Sequence, residues 1–156
     1  MIPTHLLPEG TEEIDGVPFE FLRFIDAESA LQLVTIMPEQ RSLLAFDLAF
    51  GPNEHVFTVT PHFDNWMQIL DGLRALPTYD YVFSGHGEPT DRLALDATIA
   101  YLKKGKATYA VSREFHDFAS RMKFAFPQRQ HPGWIDISAS LLYSVVDAYD
   151  TKPQLS

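Results

Sequence analysis

Tyr79-Asp80-Tyr81-Val82-Phe83-Ser84-Gly85-His86-Gly87-Glu88-Pro89 is the stretch on which the fold turns. Tyr81-Val82-Phe83 is a short apolar run of the buried-strand kind, and it leads straight into a histidine held between two glycines. Glycine permits a tight backbone, so His86 can project from the C-terminal edge of a strand, where sites in α/β proteins usually lie. A neutral imidazole in that position is a good ligand for zinc or iron. The competing reading is a turn histidine between two turn glycines, and on this motif alone it is the commoner one.

Working outward, Phe19–Ile25 and Leu31–Met37 are rich in aromatic and aliphatic residues and bounded by turn formers, so both are expected strands. Pro38-Glu39-Gln40-Arg41 is the turn into a third strand, Ser42–Phe46, which ends at Asp47 and lies beside Leu31–Met37 as a hairpin. The opening through Gly16, with Pro3, Pro8 and Gly10, reads as an irregular lead-in, and Leu48–His62 as a loop. Helical spacing then takes over: Phe63, Trp66, Met67, Leu70, Leu73 and Leu76 share one face, with Thr60 expected as N-cap, Pro61 at the first position and Pro77 as the stop. After Tyr81–Phe83, Thr90 is expected to cap a helix bearing Leu95, Ile99 and Leu102. Ser112 is expected to cap another, with Phe115, Phe118, Ala119 and Met122 inward. A last helix follows the Pro127–Gly133 loop, with Leu141, Leu142, Val145 and Tyr149 inward. The order β-β-β-α-β-α-α-α predicts an α/β fold in which a sheet packs on helices, because each element has one apolar face to bury.

Four further groups are candidates for chemistry. Asp47 ends an apolar strand, so its carboxylate must accept backbone hydrogen bonds, bind a cation or shift its pKa; a strand-end Asp capping a turn is as good a reading. Asp26 and Glu28 follow a strand and are either paired carboxylates or hard metal ligands, although such a pair is more often a solvated turn. His55 and His62 lie in the long loop and read first as surface histidines. His5, His116 and His131 have no convincing context. No phosphate loop, G-x-S-x-G elbow or H-E-x-x-H is present.

The bulk properties narrow the classes. A chain of 156 residues, 46% hydrophobic and 21% charged, fits one globular domain over 1–156. A net charge of -9 argues against nucleic acid and anionic membrane surfaces as partners. With no cysteine, thiolate ligands, disulfides and a Cys nucleophile are excluded. No apolar run approaches a membrane span, and MIPTHLLPEG lacks the features of a signal peptide, so a soluble, cytoplasmic protein is expected.

Two stretches together resemble the second half of the metallo-β-lactamase superfamily. Leu31-Gln-Leu-Val-Thr-Ile-Met-Pro38-Glu-Gln-Arg-Ser-Leu-Leu-Ala-Phe-Asp47 is similar to that family's strand, "LPE"-type turn, strand and terminal Gly-Asp. Tyr79–Pro89 is similar to its "v-PGHG-p" strand and loop. The resemblance spans residues 16–104, includes the helix from Trp66 to Leu76, and leaves 105–156 as additional C-terminal helices. It implies one half of an αββα sandwich and a role in metal-dependent hydrolysis of a carbonyl, ester or phosphoester. Asp47 and His86 would be metal ligands, for zinc or another divalent metal. His55 sits where many members have a loop histidine.

The departures from the family pattern are as informative. The H-x-H-x-D-H motif, which supplies most of the ligands, is absent, and Phe46 stands where the family has glycine before the Asp. The family's histidine ahead of the Leu31-like strand is replaced by Ile25-Asp26-Ala27-Glu28. Two ligands fall short of the roughly three protein ligands of a catalytic zinc site, so the chain alone is expected to be inactive. Such a chain is a C-terminal piece of a longer hydrolase, a half-domain that pairs with itself or another chain, or a relative that lost its metal. The first is preferred, because a missing N-terminal half is needed to cover the sheet and complete the site. For the chain folding alone, the expected partner is a second copy standing in for that half. The contrasting expectation is a metal-free, non-catalytic interaction domain that dimerises.

Overall fold

In a computed structural model the described residues are 9–149, with side chains through 144. Five strands form one sheet in the order β1 (Gly10–Ile14), β2 (Val17–Ile25), β3 (Leu31–Met37), β4 (Ser42–Phe50), β5 (Tyr81–His86). The first three pairings are antiparallel, and β4 pairs with β5 in parallel. That parallel pair needs a crossover, and α1 (Phe63–Ala75) supplies it. Helices α2 (Leu93–Tyr109), α3 (Phe115–Ala125) and α4 (Gly133–Tyr149) follow. This is the sheet-on-helix α/β architecture expected from the sequence. No helix among the described residues is long and apolar enough to cross a membrane.

One core joins the layers. Val34, Ile36, Leu43, Ala45 and Val82 of the sheet meet Phe63, Trp66, Leu70 and Leu73 of α1 and Leu95, Ile99 and Leu102 of α2. Trp66 donates its indole N–H to the Leu48 carbonyl, and the Phe50 amide donates to Thr98 Oγ1 of α2, so β4 is tied to both helices. Leu76 is extended at ψ 132, as the residue before Pro77 should be. The carbonyls of Arg74, Leu76 and Tyr79 accept hydrogen bonds from the Arg92 guanidinium.

Several expectations are corrected. The lead-in is a strand: Gly10–Ile14 pairs with β2 through a two-residue turn, Asp15-Gly16, in which both residues have positive φ (51 and 80). Asp-Gly between apolar flanks is the signal of such a hairpin. The third strand continues past Phe46 to Phe50 by way of a bulge, and β5 extends through His86. The caps also move. Thr60 donates to the Ala27 carbonyl instead of capping α1, which begins after His62 with Pro61 outside it. Asp91, not Thr90, accepts the Leu93 amide at the start of α2, while Thr90 bridges to Val82. Ser112 donates back to the Thr108 carbonyl at the end of α2, and α3 starts only at Phe115. In α4, Leu142 is buried but its neighbour Leu141 faces solvent; the side chains of Val145 and Tyr149 lie outside the described residues.

Candidate metal centre

The parallel pairing of β4 and β5 brings Asp47, just past the β4 bulge, close to His86 at the end of β5. His86 Nε2 lies 3.6 Å from Asp47 Oδ1, with both side chains about half exposed. Two local features make this approach possible. A Cβ on Gly85 would stand 1.9 Å from Asp47 Oδ1 and 3.0 Å from the Asp47 amide nitrogen, so only glycine leaves room for the carboxylate. Phe46 adopts φ 48 at the β4 bulge, a left-handed backbone that costs a bulky residue about 1–2 kcal/mol and turns Asp47 toward β5. The resemblance has glycine here; this chain has Phe46 in the left-handed region that favours glycine.

His86 is clamped on its other sides. Its ring stacks on Phe50 at 5.5 Å and meets the Trp134 indole edge-on at 4.5 Å. Trp134 in turn stacks flat on His131 at 4.4 Å, and His131 Nδ1 lies 2.7 Å from the buried Glu54 carboxylate. The start of α4, from the segment expected to be merely an extension, therefore packs directly against the candidate site. Arg129 fixes that segment: its buried guanidinium donates to the carbonyls of Glu54 and Ala97 and lies over the Tyr101 and Phe126 rings. Backbone bonds from His55 N to Gln130 O and from Gln130 N to Asn53 O complete the seam. Arg129→Met is expected to cost about 3 kcal/mol, since it strands buried carbonyls and deletes charge-assisted bonds. A denaturant midpoint within error of the native one would show that the seam carries no stability.

The other candidates separate. Glu28 is half-buried, and burial first, then the nearby Asp47 charge, pushes its carboxyl above the usual range. Asp26 is exposed at φ 53, its carbonyl bound by Asn65. His55, expected at the surface, is buried at 1% exposure with Nδ1 3.2 Å from the Tyr101 hydroxyl. Burial first, then Arg129 and Lys123, lowers its pKa to about 4. His62 is exposed at the start of α1, His116 lies against Phe115, and His5 is outside the described residues. Sequence reasoning gave no role to Glu54, Arg129, His131 or Trp134.

For zinc ligands near 2.0–2.1 Å and tetrahedral angles, neighbouring donor atoms stand about 3.3 Å apart. The 3.6 Å between His86 and Asp47 fits two vertices of such a shell, and imidazole with carboxylate is an ordinary donor set for it. The shell is not completed: among the described residues no group of three or more His, Cys, Asp or Glu side chains is placed to hold a metal. The two residues thus fit as part of a site, and no hydrolytic step follows from them alone.

Solved structures share this architecture. A metallo-beta-lactamase family protein from Thermus thermophilus superposes with TM-score 0.59 at 19% identity, over 95% of this chain and 50% of that one. A beta-lactamase domain protein from Burkholderia ambifaria gives 0.58 at 13% identity, over 96% and 48%. The stereoselective inverting sec-alkylsulfatase Pisa1 from Pseudomonas sp. gives 0.55 at 18% identity, over 99% and 28%. No family model and no curated protein matches the sequence. The chain is a partial metallo-β-lactamase-fold domain. It spans about half the length, or less, of these proteins.

Proposed function

We propose that this chain contributes one part of the metal centre of a metallo-β-lactamase-like hydrolase, with Asp47 and His86 as its ligands, and is inactive by itself. The observation that carries the reading is the 3.6 Å approach of His86 Nε2 to Asp47 Oδ1 across a gap that Gly85 keeps open. A divalent ion such as zinc, when bound, supplies Lewis-acid activation of the bond to be hydrolysed. This chain's residues hold and orient: Phe50 and Trp134 fix the imidazole ring, and the Phe46 bulge aims the carboxylate.

Zinc titration of protein purified without chelator tests this. Two donors hold zinc weakly, and either Asp47→Asn or His86→Gln is expected to weaken uptake by roughly tenfold or more, since even partners of ligands matter on that scale. Zinc uptake indifferent to both substitutions would sink the assignment. Hydrolysis of lactam, thioester or phosphodiester by the chain alone, abolished by His86→Ala, would overturn the inactivity.

A second reading, a metal-free interaction domain, is favoured by the exposure of Ile25, Leu31, Leu33, Tyr81 and Phe83 on the sheet. Elemental analysis separates the two.

A further inference from the structure

A histidine that binds metal is usually oriented by a hydrogen bond from its second ring nitrogen. His86 points Nε2 at Asp47, and among the described residues no hydrogen bond reaches its Nδ1. Its orientation comes from rings instead: Phe50 with planes 18° apart and Trp134 with planes 63° apart. Phe50 is fully buried in β4, so the core fixes it. Trp134 lies in the first turn of α4 and is only partly buried, so its indole needs another anchor. His131 supplies it, stacked on that indole at 4.4 Å with planes 13° apart. His131 itself adopts φ 57, a left-handed backbone that a residue other than glycine keeps only where its surroundings over-determine it. The Trp134 stack is one such constraint, and the Glu54 carboxylate, 2.7 Å from His131 Nδ1, is the other.

We propose that Glu54 and His131 are positioning residues for His86 as a metal ligand, holding Trp134 against the imidazole so that Nε2 keeps its aim at Asp47. The inference rests on the ligand assignment made above. Glu54 joins the two sides of the arrangement. Its side chain is 9% exposed, and its Cγ packs on the glycines beside the ligand: a Cβ on Gly87 would stand 3.2 Å from it and one on Gly51 3.5 Å. The same side chain tethers His131. One residue therefore touches the loop that carries His86 and anchors the aromatic wall that holds its ring. A buried carboxylate is costly without a bonded partner, so the His131 contact also secures Glu54 in place. The gain for metal binding is preorganisation: an imidazole already held in its binding orientation loses little freedom when an ion arrives.

Zinc titration of the whole chain, followed by NMR on the His86 ring protons, reads orientation and binding in one sample. In the metal-free protein these protons are expected to be displaced by the ring currents of Trp134 and Phe50. Glu54→Ala is expected to move them toward their positions in Trp134→Leu and to weaken zinc uptake about tenfold, the lower end of what partners of metal ligands contribute. His131→Asn keeps a residue suited to the left-handed backbone but removes the stacking ring. It is expected to act in the same direction, and it keeps the test standing should Glu54→Ala not fold. Glu54→Gln retains an acceptor for His131 and is expected to restore both readouts. Ile36→Val, in the buried core of β3, is the control for lost stability alone and is expected to leave both unchanged. Zinc uptake that needs His86 but is indifferent to Glu54→Ala and His131→Asn overturns the positioning role alone. So does a loss that Ile36→Val reproduces. Zinc uptake indifferent to His86→Gln overturns the ligand assignment, and the positioning role with it.

Discussion

Gly85→Ala is expected to destabilise the chain by about 1–3 kcal/mol, the usual cost of forcing an extra carbon into a packed position, and to abolish zinc uptake. The added carbon would lie 1.9 Å from Asp47 Oδ1. A flexible side chain could rotate away from that contact, but the same carbon is also 3.0 Å from the Asp47 backbone nitrogen. Strand β4 must therefore shift as well. Rotating the carboxylate away removes it from His86, so affinity for zinc falls even if the strands adjust. The check is a denaturation curve paired with a zinc titration. If zinc binding survives while stability falls, Gly85 matters for packing only, and the carboxylate does not need its present position. If both survive, the close approach of β4 and β5 is not the arrangement in solution.

The parts of this molecule legible in the sequence are those where local pattern and final environment agree. Leu31–Met37, the Pro38–Arg41 turn and the strand from Ser42 are apolar runs joined by turn residues, and they pair as that pattern requires. His86 was readable because it ends an apolar run, and Asp47 because it interrupts one; the bulge in β4 at Phe46 and parallel pairing with β5 bring the two together. The β1–β2 hairpin was equally written in Asp15-Gly16, but Pro3, Pro8 and Gly10 nearby obscured it. Caps misled for a different reason. Thr60 and Ser112 are good capping residues whose hydroxyls are taken by other carbonyls, and tertiary contacts decide between such bonds.

The clamp around His86 was not legible at all. Glu54 pairs with His131 across 77 positions, and Arg129 reaches the Glu54 carbonyl across 75. No local spacing announces a contact of that range. Each residue alone reads as a surface polar group, and only the folded chain shows that Glu54 and Arg129 are buried together. The consequence for function is that residues outside the 16–104 stretch that carries the sequence resemblance touch the candidate ligand. Trp134 belongs to α4, so that helix holds the imidazole as well as adding to the core.

His55 makes stability depend on pH in a predictable direction. Its imidazole is buried against the Tyr101 hydroxyl, and its pKa in the folded chain falls from 6.5 to about 4 through burial, with Arg129 and Lys123 adding repulsion. Tyr101 is itself buried and pushed well above its usual pKa, so its hydroxyl keeps its proton and can donate to a neutral His55 ring. A histidine with a depressed folded pKa is protonated more readily in the unfolded chain. Its contribution to stability is therefore complete above pH 6.5, is lost as pH falls from 6.5 toward 4, and levels off below that. A shift of this size corresponds to at most about 3.5 kcal/mol, at about 1.4 kcal/mol per pKa unit. His55→Gln keeps a hydrogen-bonding partner for Tyr101 and does not titrate. Urea unfolding on either side of the window should show the native protein losing more stability on acidification than the variant, so that the two converge near pH 4. Parallel losses in both proteins would show that His55 titrates alike in the folded and unfolded chain, and that the Tyr101–Arg129 seam is open to water.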